Sequence, residues 1–210
     1  MKWGFTMEFT LLTTLLLGLV LGCTHALEPD HVAAVSTMAG ENKKLSRSSL
    51  TGVFWGIGHT FTLFVIGLAA VLLKANIPAI LQSSFEFFVG IMLVALGCLS
   101  LYQYNRKKEH PIHKARNYQK ATVIGIIHGL AGSGAMIVAT VAAVDTALQA
   151  CLYILFFGIG TVIGMFIFSS IIALPFILGQ NNRALHSNLT KVVCMFSILY
   201  GFYHMYNVIS

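Results

Sequence analysis

The sequence predicts an all-α, polytopic integral membrane protein of about six transmembrane helices, arranged as a 3+3 inverted pseudo-repeat. Three observations carry this expectation. Hydrophobic types make up 57% of the 210 residues, and Asp, Glu, Lys and Arg together only 10%, against about a quarter in a soluble globular domain. A chain so poor in charge cannot clothe a water-facing surface, so lipid is its main solvent; the mean hydropathy of +0.80 agrees. Apolar stretches of about 20 residues, the length a helix needs to cross the hydrocarbon core, fill nearly the whole chain. The halves also echo each other. Phe54-Trp55-Gly56-Ile57-Gly58 is answered by Phe156-Phe157-Gly158-Ile159-Gly160, and at nearly the same offset His25-Ala26-Leu27 by His128-Gly129-Leu130.

The expected first span runs from about Glu8 into the twenties, and its helical character continues past a break to about Gly40. Leu15 to Gly22 followed by Cys23 loosely resembles a cleavable leader. Lys2 alone is a poor basic region, however, and cleavage would fall beside the most polar intramembrane cluster, so the stretch reads as a retained helix. The second span runs from about Leu50 to Leu73 and the third from about Pro78 to Tyr104. The fourth runs from about Ala121 to Val144, the fifth from about Ala147 to Leu178 (long enough to tilt or break), and the sixth from about Leu189 to Ile209. Residues 1–104 then form the first three-helix repeat, 105–120 a basic cytoplasmic loop, and 121–210 the second repeat. Three spans per repeat invert the second copy, a common transporter plan with the site between repeats near mid-membrane.

Charge orients the chain. Lys43, Lys44, Arg47, Arg106, Lys107, Lys108, Lys114, Arg116, Lys120, Arg183 and Lys191 fall on one side, and only Lys2 and Lys74 on the other. The basic side is expected to be cytoplasmic, which leaves both termini of this cell-membrane protein extracytoplasmic. The net charge of +6 thus belongs to topology and not to nucleic acid. His110 and His113 lie in the second polar loop as parts of a solvated connector. The four cysteines, Cys23, Cys98, Cys151 and Cys194, all lie in apolar segments without a C-x-x-C pair, which fits buried, inert thiols.

Chemistry concentrates in Cys23-Thr24-His25-Ala26-Leu27-Glu28-Pro29-Asp30-His31. Ionisable residues at membrane depth are costly and mark an ion path or a site. On a continuous helix His25, Glu28 and His31 form one stripe, with Asp30 turned away. Pro29 supplies no N–H to the carbonyl of residue 25 and clashes there, so the helix should kink or open. That would free the His25 carbonyl and let Asp30 swing toward the imidazoles. Neutral imidazoles with carboxylates suit Ni²⁺, Co²⁺, Zn²⁺ and Mn²⁺. A plainer role for Asp30 is to cap a helix starting at His31. His59, in a span whose Gly52 and Gly56 permit close helix approach, is expected to complete the site. His128, at the position matching His25, is a further candidate; Gly129-Leu130-Ala131-Gly132-Ser133-Gly134 follows it, with glycines where the first repeat has Pro29. Glu86, Asp145 and His204 are weaker candidates.

On these residues the chain resembles the nickel/cobalt transporter superfamily, particularly its compact urease-accessory branch. His25, Asp30 and His31 match an H-x4-D-H motif with Glu28 as its additional acid, Gly58 and His59 match a second-helix Gly-His motif, and the run from His128 to Gly134 looks like a segment of the compact branch. The resemblance implies transport of Ni²⁺ or Co²⁺, bound by the H-x4-D-H residues, and a link to maturation of urease or another nickel enzyme. The chain departs from the larger transporters in having about six spans where they have about eight, and in lacking their later acidic motifs.

No G-x-x-x-x-G-K-[ST] loop occurs, so transport would be secondary, with the divalent ion and the bilayer as partners and no permanently bound cofactor. Homo-oligomerisation, the ion's identity and the direction of flux stay open. Three other readings stand beside transport. One is a metal sensor or urease-assembly partner that binds without translocating. Another is a membrane acyltransferase using His25 as base and Asp30 to orient it. The third, a thiol–disulfide carrier, needs cysteines paired across the repeats, and Cys23 is matched by Ile126.

Overall fold

In lipid every backbone N–H and C=O must be satisfied within its own segment, which leaves the helix as the spanning element for such a chain. The computed structural model describes residues 2–40, 42, 44–73, 78–106, 118–131 and 146–210, the side chains of 2–10 excepted. Seven helices account for nearly all of them: α1 (Lys2–His25), α2 (Pro29–Ala39), α3 (Leu45–Leu73), α4 (Ala79–Asn105), α5 (118–131), α6 (Ala147–Leu178) and α7 (Arg183–Ile209). No strand occurs among the described residues. Lys43, Lys74, most of the basic loop with His110 and His113, the segment Gly132-Ser133-Gly134, the rest of the fourth span and Asp145 lie outside them.

Four helices, α3, α4, α6 and α7, are each long and apolar enough to cross a membrane, and α1 with α2, bent by 56° at the break, passes the same test as a pair. Large apolar side chains such as Phe61, Phe88, Phe166 and Leu199 face outward along them, as lipid-facing surfaces require. The chain is a multi-pass membrane protein. α1, α3, α5 and α7 begin earlier than the hydropathy pattern suggests. The start of α3 at Leu45 draws in polar residues, because the Ser49 and Thr51 hydroxyls donate to the Leu45 and Arg47 carbonyls one turn back. The start of α7 at Arg183 follows from Asn182, whose side chain accepts from the Leu185 N–H and caps the helix. A capping box of Thr146 and Gln149 opens α6. That helix stays unbroken over its 32 residues because its proline, Pro175, falls in the last turn.

Small residues decide which helices touch. The α1 and α6 backbones meet where Gly22 faces the Phe157 carbonyl and Thr161 N–H, and where Gly160 faces the Leu19 carbonyl and Cys23 N–H. The same contact recurs between α5 and α3: Gly125 faces the Trp55 carbonyl and His59 N–H, and Gly58 faces the Thr122 carbonyl and Ile126 N–H. A Cβ at any of the four would collide with backbone, so these crossings need glycine. In addition α3 packs along α6 and α4 along α7, while the short α2 touches α3, α4, α6 and α7. Ala33 and Ala34 of α2 are accordingly sealed from all solvent. The body of α2 is thus buried, while Leu27, Glu28 and Pro29 at the break are exposed.

Candidate metal centre

Pro29 determines how the break is built. The α1 ladder ends at His25, and Leu27 N–H and Glu28 N–H close tight turns onto the Thr24 and His25 carbonyls at 2.9 and 3.0 Å. The His25 carbonyl is thus engaged by the turn and is not the free oxygen ligand the proline suggested. A new helix starts with Pro29 at its first position, where a missing N–H costs nothing. Asp30 is consequently a first-turn residue of α2 and not the cap of a helix beginning at His31. Its Oδ1 does accept the His31 N–H at 2.8 Å.

The bend brings His25, Asp30 and His31 against α3 and α5, with half-exposed Glu28 beside His25. Glu28 Oε1 lies 2.7 Å from His25 Nδ1. Asp30 Oδ1 lies 2.8 Å from His31 Nδ1, and Asp30 Oδ2 lies 2.7 Å from His128 Nε2 of α5. His25 Nε2 stands 3.1 Å from His59 Nε2 of α3. All six residues singled out in the sequence therefore meet at one place. Glu86 and His204 join neither metal-competent group; His204 stacks on Tyr200 instead.

Two carboxylates set the imidazoles' polarity. An ionised carboxylate only accepts, so His25 and His31 each donate from Nδ1 and present Nε2 as a lone pair. His31 is buried, and its Nε2 finds no partner among the described residues. His59 Nδ1 and His128 Nδ1, also buried, likewise have none. One donor atom from each of His25, His31 and His59 lies within 4.8 Å of the others, and the same holds for Asp30, His31 and His128. Nitrogens bonded to one ion at about 2.1 Å are about 3 to 4 Å apart. The His25–His59 pair already stands at that separation. An imidazole that ligates a metal commonly donates its other ring N–H to a carboxylate in this way.

Sequence reasoning missed Trp55. It is fully buried one turn before His59, stacked on that ring at 5.0 Å and 10°, with His31 and His128 edge-on at 4.9 and 5.1 Å. One of the chain's two tryptophans at i−4 from a candidate ligand shares its helix face, and that spacing was the available signal. Trp55 packs against the rings of His31, His59 and His128 and forms one wall of the cluster. The surroundings change along the cluster: the Glu28 side chain is 52% exposed and that of His25 12%, against 1% for His31 and His128.

Residues 10–203 match the family described as cytochrome C biogenesis protein transmembrane region. The chain is 45% identical to the urease accessory protein UreH of Bacillus sp. (strain TB-90), over 96% of this chain and 94% of that protein. It is 29% identical to the chloroplast protein FOR GROWTH AND FERTILITY 1 of Arabidopsis thaliana, over 73% of this chain but only 48% of that protein. A protein of Methanocaldococcus jannaschii whose name proposes nickel/cobalt efflux is 23% identical over 70% of this chain and 69% of its own length. No solved structure matches. A near-full-length match at this identity, on a helical membrane scaffold, shows that the chain belongs to the nickel/cobalt transporter superfamily, in the compact branch of the urease accessory protein UreH.

Proposed function

We infer that this protein moves a divalent transition-metal ion, Ni²⁺ or Co²⁺, across the cell membrane through the broken first span. His25, His31 and His59 hold the ion, Glu28 and Asp30 orient them, and His128 reaches the same place from α5. The observation that carries this reading is the convergence of three imidazole nitrogens from separate elements within 4.8 Å, two of them turned by carboxylates to offer lone pairs. Imidazole-rich sites suit Ni²⁺, Co²⁺ and Zn²⁺ better than the hard cations Mg²⁺ and Ca²⁺. A site between packed helices, in a break where backbone groups need no lipid contact, is where membrane transporters bind their cargo. The name of the archaeal relative supports nickel or cobalt, and that of the bacterial relative supports a urease accessory role. The same residues serve transport and not catalysis. The 3+3 inverted repeat supplies the alternating access, and both termini lie outside the cytoplasm.

The test is metal flux into proteoliposomes over a panel of Ni²⁺, Co²⁺, Zn²⁺ and Mn²⁺, for the wild type beside His31→Ala. Flux of Ni²⁺ or Co²⁺ that disappears in the variant is the expected result. A second reading, a sensor or urease-assembly partner, draws on the word "accessory" in the relative's name. Intact metal binding without flux of any ion would favour it.

A further inference from the structure

The six polar residues are not one shell around one point. Five of them form two overlapping groups of three, His25 with His31 and His59, and Asp30 with His31 and His128, each compact enough for a single ion; Glu28 belongs to neither. His31 belongs to both. Its ring centroid lies 4.5 Å from His25 on α1, 5.1 Å from His59 on α3 and 4.4 Å from His128 on α5. The structure assigns two successive ion positions that share His31 as a pivot, so that the ion is handed from the His25/His31/His59 position to the Asp30/His31/His128 position or back. This rests on the transport reading.

Asp30 makes the two positions exclusive. While His31 presents Nε2 to an ion among His25 and His59, Asp30 is its outer partner, accepting from Nδ1. Its other oxygen meanwhile accepts from His128 Nε2. To hold an ion itself, Asp30 exchanges that His128 proton for the metal, and His128 takes the tautomer protonated on Nδ1, the nitrogen that now has no partner among the described residues. No net proton is gained or lost at His128 in that change. The pivot imidazole and the carboxylate cannot serve both ions together, so the protein carries one at a time. A single ion that exchanges ligands stepwise, with His31 retained throughout, never has to shed its whole coordination sphere.

Where the positions lie agrees with their place in the chain. His25 and His128 follow Gly22 and Gly125 by three residues, and those glycines make matching backbone contacts, one on α6 and the other on α3. Each position takes one of this pair. The first adjoins half-exposed Glu28, and the second ends on buried His128. Trp55, in ring contact with His31, His59 and His128 but not needed as a ligand, forms the wall along which the ion moves.

The experiment uses the full chain in detergent and in proteoliposomes, with Ni²⁺ and Co²⁺ as probes. Binding stoichiometry comes from equilibrium dialysis, ligand type from X-ray absorption, and flux from the vesicles. Variants are His59→Ala, His128→Ala, the double variant and His31→Ala, with His59→Gln and His128→Gln in case either alanine impairs insertion. The wild type is expected to bind one equivalent. His59→Ala and His128→Ala should each still bind one, the first with carboxylate oxygen and the second with imidazole only. Both should lose at least tenfold in flux, and the double variant and His31→Ala should bind none. Two equivalents on the wild type, loss of all binding in either single variant, or wild-type flux in His128→Ala would overturn the relay. No binding and no flux in the wild type would instead remove the transport reading itself.

Discussion

Replacing Asp30 with asparagine isolates the charge at the centre of the cluster while keeping its shape. The carboxylate accepts three hydrogen bonds: from His31 N–H and His31 Nδ1 on one oxygen, at 2.8 Å each, and from His128 Nε2 on the other at 2.7 Å. An amide oxygen placed toward His31 keeps the first two as neutral bonds. The NH2 group then faces His128 and forces that ring to turn its lone pair inward. Hydrogen bonds to a charged group contribute about 1 kcal/mol more than neutral ones. Two imidazoles affected by this difference amount to about 2 kcal/mol, or about 30-fold in metal affinity, within the ten- to hundredfold range found when such outer partners are removed. Flux should fall further, because the second ion position also loses its only anion. Glu28→Gln sets the scale from the other side. Glu28 makes one bond to His25 and is more than half exposed, where water competes for the same donor, so its loss should cost less than about fivefold. The assay is Ni²⁺ titration of purified protein, with flux measured in parallel. Affinity within threefold of wild type for Asp30→Asn, or a larger loss for Glu28→Gln, would refute the assignment of Asp30 as the carboxylate that organises the site.

Trp55 should report occupancy directly. With Trp3→Phe in the background, Ni²⁺ or Co²⁺ binding against the rings stacked on Trp55 should quench its fluorescence in proportion to binding, and His31→Ala should abolish the quenching; an unresponsive signal in protein that binds metal would show that the ion goes elsewhere. Gly125→Leu should prevent stable assembly, since its side chain meets the Trp55 carbonyl and the His59 backbone, which cannot move aside. The cost should exceed the 1 to 3 kcal/mol or so of ordinary overpacking, and monodisperse protein of wild-type thermal stability would refute the α3–α5 contact. Reporter fusions at either terminus should score as extracytoplasmic; a cytoplasmic score for both would reverse the orientation read from the eleven basic residues.

Hydropathy made the long helices legible, and their interiors fell where a 20-residue window puts them. The starts of α4 and α6 did too, but not those of α3 and α7. Leu45–Ser49 and Arg183–Ser187 look like polar loop, but hydroxyls bonded back one turn and an Asn182 cap extend the helices beyond the apolar run. The site was legible for a different reason: charged residues at membrane depth are so costly that each one demands an explanation, and His25, Glu28, Asp30 and His31 fell together within seven residues. Pro29 announced the break, yet not its details. The spare oxygen inferred at His25 vanished into a turn, because the three residues of the break satisfy their own backbone. Nor could spacing reveal that Asp30 binds His128, 98 positions away. Such a contact depends on how α5 packs against α3, which Gly125 and Gly129 permit but do not announce.

The membrane scaffold also frames the chemistry. The family that residues 10–203 match is described by cytochrome c biogenesis, and a thiol-based carrier on such a scaffold would need two cysteines whose β-carbons come within about 4 Å. Here none of the four cysteines forms a disulfide. Cys23 donates from Sγ to the Gly160 carbonyl, across the contact in which Ile126 takes its place on the other side of the molecule. Two residues beyond these positions, on both α1 and α5, the chain carries an imidazole: His25 and His128. A fold licenses a position and not a reaction. What occupies the position next to the helix break decides whether electrons or ions use it, and in this chain that place holds four histidines and two carboxylates, five of which form two overlapping groups whose ligand atoms lie within 4.8 Å of one another.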